Sequence, residues 1–327
     1  MRILVTGGAG YIGSHCVKHL LSAGHEVVVV DNLSVGHRAA VPADSLIVAD
    51  LADVDRLDQL LLSRRIEAVM HFAADAAVGE SVVNPAKYYR NNVVHAFGLL
   101  ELVRRHGIGR FLFSSTCATY GLPDSMPITE STPQRPINPY GRSKLMFEQM
   151  LIDYAAAHGI GVSALRYFNA SGAAADGTLG EDHTPETHLI PLVLQVALGQ
   201  RPNIHVFGTD YPTPDGTCIR DYIHVEDLAN AHNLALTAIR PGTFAAYNVG
   251  TGTGYSVREV IRTCEAVSGT SIPVVEAPRR AGDPPILVAA ADKIRTDLGW
   301  TPKYPELRPI VESAWRWHRA RPRGYGS

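Results

Sequence analysis

MRILVTGGAGYIGSH, residues 1–15, joins an apolar run to a turn in which Gly7, Gly10 and Gly13 recur every third residue. RILVT reads as a buried strand and YIGSHCVKHLLSAG as the helix after it. Glycines at a strand-to-helix turn let the backbone bend sharply and come close to a pyrophosphate, whose charge then sits on the helix N-terminus. The next apolar run, EVVVVD at 26–31, ends in Asp31. A carboxylate there can accept hydrogen bonds from adenosine ribose hydroxyls and would repel a 2′-phosphate, so the expected cofactor is NAD and not NADP. Asp50, after a third strand, is placed to reach the adenine amine.

Strand and helix continue to alternate outward from this turn. DVDRLDQLLLSR (53–64) reads as a helix, IEAVMHFAA (66–74) as a strand, NNVVHAFGLLELVRRHG (91–107) as a helix and RFLFSST (110–116) as a strand. A helix follows Pro139, and GVSALRYFNA (161–170) closes the series. Short apolar strands separated by helices predict a doubly wound, parallel Rossmann-type α/β sheet. From about residue 172 the connections become rich in Gly and Pro. The expected division is therefore an NAD-binding domain over 1–171 and a smaller α+β domain over 172–327, with a strand and helix at about 218–240 returning to the first.

With 327 residues, 46% of them apolar, the chain can bury a large core. A net charge of −2 gives no basic footprint for nucleic acid or an anionic membrane. The first residues enter a strand at once, so no leader is expected, and no apolar run approaches ~18 residues. Cys16, Cys117, Cys218 and Cys264 form no C-x-x-C pair, which fits a reducing cytoplasm. His188 invites a metal reading beside His183, but no carboxylate–histidine spacing is read as supporting a site, so hydrogen bonding and no metal are expected.

The second decisive stretch is NPYGRSK, 138–144, where Tyr140 and Lys144 share a helix face just after Pro139. RFLFSST ends nearby in Ser114, Ser115 and Thr116, and ligands of an open α/β sheet bind beyond the carboxyl ends of its strands. A phenol with a pKa near ~10 is a poor base, but an ammonium one turn away and a positive nicotinamide ring would favour the phenolate. Tyr140 is then the proton acceptor, Thr116 orients the substrate hydroxyl, and Lys144 also holds the nicotinamide ribose.

VTGGAGYIGSH, DNLS, HFAA, VGES, SSTCATYG, NPYGRSK, LRYFNASGA, HLIPLVLQVALG, FGTDYPTPDGTCIRDYIHVEDLA, YNVGTG and APRRAGDP together resemble the extended short-chain dehydrogenase/reductase family. RYFN, DGTCIRDYIHV and RRAGDP are more specific, and resemble its UDP-glucose (UDP-galactose) 4-epimerases. The resemblance implies an isomerase that keeps NAD bound, oxidises the sugar at carbon 4, and returns the hydride to the other face of the 4-keto sugar. Matched residue by residue, it implies that Tyr11, Ile12, Asn32, Ser34, Leu51, Phe72, Ala73, Ala74, Asn91 and Tyr167 line NAD. Asn169, His188, Leu189, Phe207, Arg220, Arg280 and Asp283 would hold the UDP-sugar. Arginine forks suit a diphosphate, and a carboxylate suits a ribose hydroxyl.

Cys117 and Ala118 stand where dehydratases and decarboxylases of the family carry an extra acid, which disfavours those reactions. Ala76 stands where some members have a lysine. Leu287, four residues after Asp283, occupies the position expected to wall the 2-substituent of the sugar. The preferred pair is UDP-glucose and UDP-galactose, with slower turnover of the N-acetyl sugar. Alternatives are 4-epimerases of other UDP-sugars (N-acetylhexosamine, pentose or uronate), a dehydrogenase that releases its product, and a non-catalytic NAD-binding regulator. The helices over 91–105 and 140–158 are apolar on more than one face and are expected to build a homodimer.

Overall fold

A computed structural model describes residues 1–280 and 282–326. The main sheet contains β1 (Arg2–Thr6), β2 (Glu26–Asp31), β3 (Leu46–Val48), β4 (Ala68–His71), β5 (Arg110–Thr116), β6 (Gly161–Tyr167) and β10 (Phe244–Val249). The strand order is β3-β2-β1-β4-β5-β6-β10, and every pair is parallel. The chain winds outward in both directions from β1, so β1 and β4 flank the topological switch point where such sheets bind ligands.

Successive side chains of a strand point to opposite faces, and this sorts the core into two layers. Ile3, Val5, Val27 and Val29 pack with Leu228 and Ala231 on one face. Leu4, Val28 and Val30 pack with Leu57, Leu99, Phe147 and Leu151 on the other. The first face is covered by α1 (Tyr11–Ser22) and α8 (Val225–Ala238), the second by α2 (Val54–Arg64), α5 (Ala96–Arg105) and α6 (Pro139–His158). Phe111, Phe113 and Phe147 are nearly inaccessible, and each contributes roughly 1.5–3 kcal/mol by burial.

Local chemistry sets the helix that matters most for the site. Asn138 accepts the Gly141 N–H at 2.8 Å as the N-cap of α6, and Pro139 supplies its first residue. Gly159, at φ +72°, ends the helix in a left-handed cap.

The remaining elements form the smaller half. β9 (Ile219–His224) is flanked by β7 (Asn169–Ser171), β11 (Gly254–Ser256) and β13 (Ile286–Leu287), while β8 (Ile204–Phe207) pairs with β12 (Val274–Ala277). α7 (Leu189–Ala197), α9 (Val257–Ser268) and α11 (Leu307–Ala320) enclose its core around Val193, Val260 and Ile310.

Three expectations change. The strand near 220 does not pair in the main sheet; it centres the small one, although α8 after it does pack on the main sheet. The main sheet is completed instead by β10, whose register runs along β6 from Phe244 opposite Val162 to Val249 opposite Tyr167. The segment 161–170 divides at Phe168 between β6 and β7, which belong to different sheets. The helix expected from 91 begins with a π-helical turn, Arg90–His95, preceded by α3 (Val78–Val83) and α4 (Pro85–Tyr89). A short α10 (Asp292–Leu298) packs beside β10. No helix among the described residues is long and apolar enough to cross a membrane.

Candidate active site

The glycine turn is fixed by sterics. A Cβ on Gly7, which has φ +71°, would lie 2.4 Å from the Ala73 nitrogen, and one on Gly13 would lie 2.2 Å from the Gly7 carbonyl oxygen. Gly10 has more room: its nearest contact would be the Gly7 oxygen at 3.4 Å, and it caps α1 without any side chain. The first N–H groups of α1, at Tyr11, Ile12 and Gly13, lack intrahelical partners by the geometry of a helix start, so a phosphate can approach them there. These residues fit a dinucleotide.

The expected nucleotide residues gather at the ends of β2, β3 and β4. The Asp31 carboxylate accepts the Ala9 N–H at 2.9 Å and the Leu33 N–H at 2.8 Å; burial raises its pKa, and these bonds oppose the rise. Asn32 donates to Asp50 at 2.7 Å and accepts the Ser34 N–H at 3.0 Å. Asp50 is held below the usual carboxylate range, first by the Ala52 N–H and then by Asn32. Leu51 is buried, and Phe72, Ala73 and Ala74 follow β4 half-buried. Asn91 lies on the π turn. Tyr11 reaches across to the smaller half, donating to the Gly172 carbonyl at 2.7 Å.

Thr116, Tyr140 and Lys144 meet at the carboxyl end of β5. All three are buried. Lys144 Nζ donates to the Ser114 carbonyl at 2.8 Å and lies 4.8 Å from the centre of the Phe113 ring. Tyr167 shares a 2.6 Å hydrogen bond with Ser114 Oγ. Burial pushes the Tyr140 phenol up to about 12, with the Thr116 side chain opposing and Cys117 adding to the rise. Burial pulls the Lys144 ammonium down to about 7, with Glu148 opposing. The expected support of the phenolate by Lys144 is therefore incomplete in the protein alone, because the same desolvation penalises both charges.

Sequence reading missed the groups that hold this corner. Asn92, on the π turn, accepts the Asp75 N–H at 2.9 Å and donates to the Asp75 carbonyl and to Ser143 Oγ. Glu148, four residues after Lys144 on the same helix, accepts from Ser115 and pairs with Arg166 at 2.6 Å. Arg166 also donates to Tyr120 at 2.9 Å. A buried ion pair contributes little net stability but is costly to break from one side, so it fixes the strand end that carries Thr116.

The residues expected on the sugar side include several assembled around Asp221. Its buried carboxylate accepts the N–H groups of Thr251 at 2.9 Å, Gly252 at 3.0 Å and Ala289 at 3.2 Å, as well as the Thr251 hydroxyl. Asn169 donates to its carbonyl at 2.9 Å. Neighbouring Arg220 pairs with Asp283 and donates to the Pro284 carbonyl at 2.8 Å. Arg280 stands 4.1 Å over the Phe207 ring. Leu287 is opposite Arg220 in register and packs on a small apolar cluster of Tyr120, Ile128, Phe168 and Ala289. Cys117, the residue after Thr116, packs on the same cluster. Leu189 is the first residue of α7.

His188 lies between two carboxylates. Its Nδ1 lies 2.8 Å from Glu181 and 2.9 Å from Glu186, so that nitrogen is already engaged within the protein. His183 approaches the same two carboxylates. The stretch Glu181-x-His183-x-x-Glu186-x-His188 thus does carry a carboxylate–histidine spacing, contrary to the sequence reading.

Residues 3–250 match the model of the NAD dependent epimerase/dehydratase family. The UDP-glucose 4-epimerase of Halalkalibacterium halodurans is 52% identical over 328 residues, covering 100% of this chain and 98% of that protein. The structure of UDP-glucose 4-epimerase from Brucella ovis in complex with NAD superposes with a TM-score of 0.92 at 50% identity, covering 96% of this chain and 97% of that one. The enzyme of that name from Bifidobacterium longum, in complex with NAD+ and UDP, gives a TM-score of 0.94 at 38% identity, covering 99% and 100%.

Proposed function

Because the chain belongs to the NAD-dependent epimerase/dehydratase family, we propose that it interconverts UDP-glucose and UDP-galactose by epimerisation at carbon 4 with NAD kept bound. The observation that carries this reading is the meeting of Thr116, Tyr140 and Lys144 at the end of β5, in the same sheet as the glycine turn after β1.

Bound NAD supplies a hydride acceptor and a positive ring. Tyr140 takes the proton of the 4-hydroxyl as the C4 hydride leaves, and holds it on the phenol oxygen while the 4-keto sugar turns. The same proton returns when the hydride is delivered to the other face, so there is no net oxidation. Thr116 orients the hydroxyl, and Lys144 holds the nicotinamide ribose.

The nucleotide-lining residues named for NAD act from the half over 1–171. Asn169, Leu189, Phe207, Arg220, Arg280 and Asp283 hold the UDP-sugar, mainly from 172–327. The Arg220–Asp283 pair must open or share its donors as a diphosphate arrives. His188, at the start of α7, completes this set.

The reading extends to galactose metabolism in the cytoplasm; four unpaired cysteines suit that compartment. It also extends to a homodimer. Val94, Phe97, Met146 and Ile152 are exposed on the π turn, α5 and α6, an apolar face suited to a four-helix interface. A second reading, turnover of the N-acetyl sugar as well, is favoured by Leu287, which is smaller than a tyrosine wall.

Incubation with UDP-hexoses, UDP-N-acetylhexosamines, UDP-pentoses and UDP-uronates, with products resolved by NMR, tests the substrate. UDP-glucose should give UDP-galactose without added cofactor, and denaturation should release NAD. Absence of any 4-epimer from every sugar, with NAD bound, would overturn the reading in favour of a regulator.

A further inference from the structure

Residues 181–188 connect the Gly/Pro-rich segment after β7 to the start of α7. Four side chains converge there: Glu181, His183, Glu186 and His188 each direct one ligand atom into a space where all four atoms lie within 4.8 Å of one another. His183 Nδ1 is 3.4 Å from Glu181 Oε1 and 3.5 Å from Glu186 Oε2. His188 Nδ1 is 2.8 Å from Glu181 Oε1 and 2.9 Å from Glu186 Oε1. Zinc bonds of ~2.0–2.2 Å place neighbouring ligand atoms of a tetrahedron ~3.3–3.6 Å apart. The observed separations bracket that spacing.

A second observation points the same way. Glu181 is 3% exposed, yet its Oε1, although 2.8 Å from His188 Nδ1, makes no aligned hydrogen bond, and neither does the buried Nδ1 of His183. These atoms are close but not aligned as donor and acceptor; both face the shared space. Among the described residues, no lysine or arginine pairs with either carboxylate. We propose that Glu181, His183, Glu186 and His188 form a structural site for a divalent transition metal of the zinc class. Two carboxylates and two neutral imidazoles balance the charge of such an ion, and their mixed nitrogen and oxygen set suits tetrahedral zinc. Four protein ligands leave no open position, so the ion acts as a brace and takes no part in the reaction.

The brace has a definite place. His188 is the N-cap residue of α7, and the His183 ring meets the Tyr11 ring edge to face at 6.2 Å. Tyr11 follows the glycine turn and binds the Gly172 carbonyl. Metal binding would therefore pin the start of α7 beside the first turn of α1. His318 on α11 and Asp182 are the other titratable groups near the cluster.

The untagged protein, loaded with zinc and dialysed, is assayed for metal by mass spectrometry. About one equivalent per chain should remain, and cobalt in its place should give the visible absorption of a tetrahedral site. His183→Asn/His188→Asn should reduce retained metal at least ~10-fold. A chelator should lower the melting temperature of the parent and leave that of the double variant unchanged; Glu186→Gln, nearly isosteric, should also lose metal if the double variant does not fold. Retention far below stoichiometry, with no cobalt spectrum and no chelator response, would overturn the proposal and leave two histidine–carboxylate ion pairs. Metal content is independent of which sugar is the substrate.

Discussion

The two walls of the candidate site are held in different ways. At the end of β5, Thr116, Tyr140 and Lys144 stand on one strand and one helix, backed by buried groups that are already satisfied: Glu148 with Arg166, and Asn92 with Asp75. Across from them, Arg220, Asp283, Arg280 and Phe207 come from separate elements, and their charged groups are engaged with one another or with an aromatic face. The wall at the end of β5 is preorganised, as the proposed transfer of a proton and a hydride requires. The other wall has donors that the proposed binding of a diphosphate would have to re-aim, which favours grip over rigidity.

If the catalytic wall carries the chemistry, Tyr140→Phe should have the largest effect, lowering turnover by ~10²–10⁴-fold while NAD stays bound. Near-normal turnover would remove Tyr140 from the mechanism. Asp221→Ala probes the other wall. It strands the N–H groups of Thr251, Gly252 and Ala289, and should cost about 2–4 kcal/mol in denaturant unfolding, with UDP affinity falling more than NAD retention. Equal loss of both ligands would mean that the walls are not separately supported.

Leu287 sits where the walls touch, on the same small apolar cluster as Cys117. Leu287→Tyr should cut kcat/KM for UDP-N-acetylglucosamine ~10-fold while sparing UDP-glucose, since differences of a few methylenes discriminate by ~1–3 kcal/mol. A parallel fall for both sugars would move the specificity elsewhere. A last test concerns Lys144, whose ammonium is pulled by burial down to about 7. In an unfolded chain it titrates near ~10.4, so between these values the unfolded state binds the extra proton and unfolding free energy rises with pH. Nucleotide-free Lys144→Met should lack that part of the rise; an unchanged slope would mean that the lysine titrates normally.

The glycine turn and the Tyr140–Lys144 pair were legible because their constraints are local: a turn too tight for Cβ, and two residues one helical turn apart. Asp221 was not, since its acceptors serve Thr251 and Ala289, 30 and 68 residues away. Glu148 and Arg166 lie on a helix and a strand 18 residues apart, and only the fold brings them together. β10 was hidden because FAAYNV follows a long excursion through the smaller half before it returns beside β6. The Glu181–His188 spacing was local, yet it lacks the regular helical or C-x-x-C form that usually signals a metal ligand set.

The position of β10 has a consequence for how the chain comes off the ribosome. β6 is complete at Tyr167, but its open edge is not covered until Phe244–Val249 emerges. At ~5–20 residues per second, that edge waits several seconds, and parallel edges left unpaired invite association between nascent chains. A fragment cut at residue 171 would keep the whole glycine turn and Tyr140, yet retain the bare edge of β6 and lose α8 from one face of the sheet. The boundary that looks natural in the sequence is therefore a poor place to divide the protein, and an expressible cofactor-binding fragment has to include residues 225–249 from beyond it.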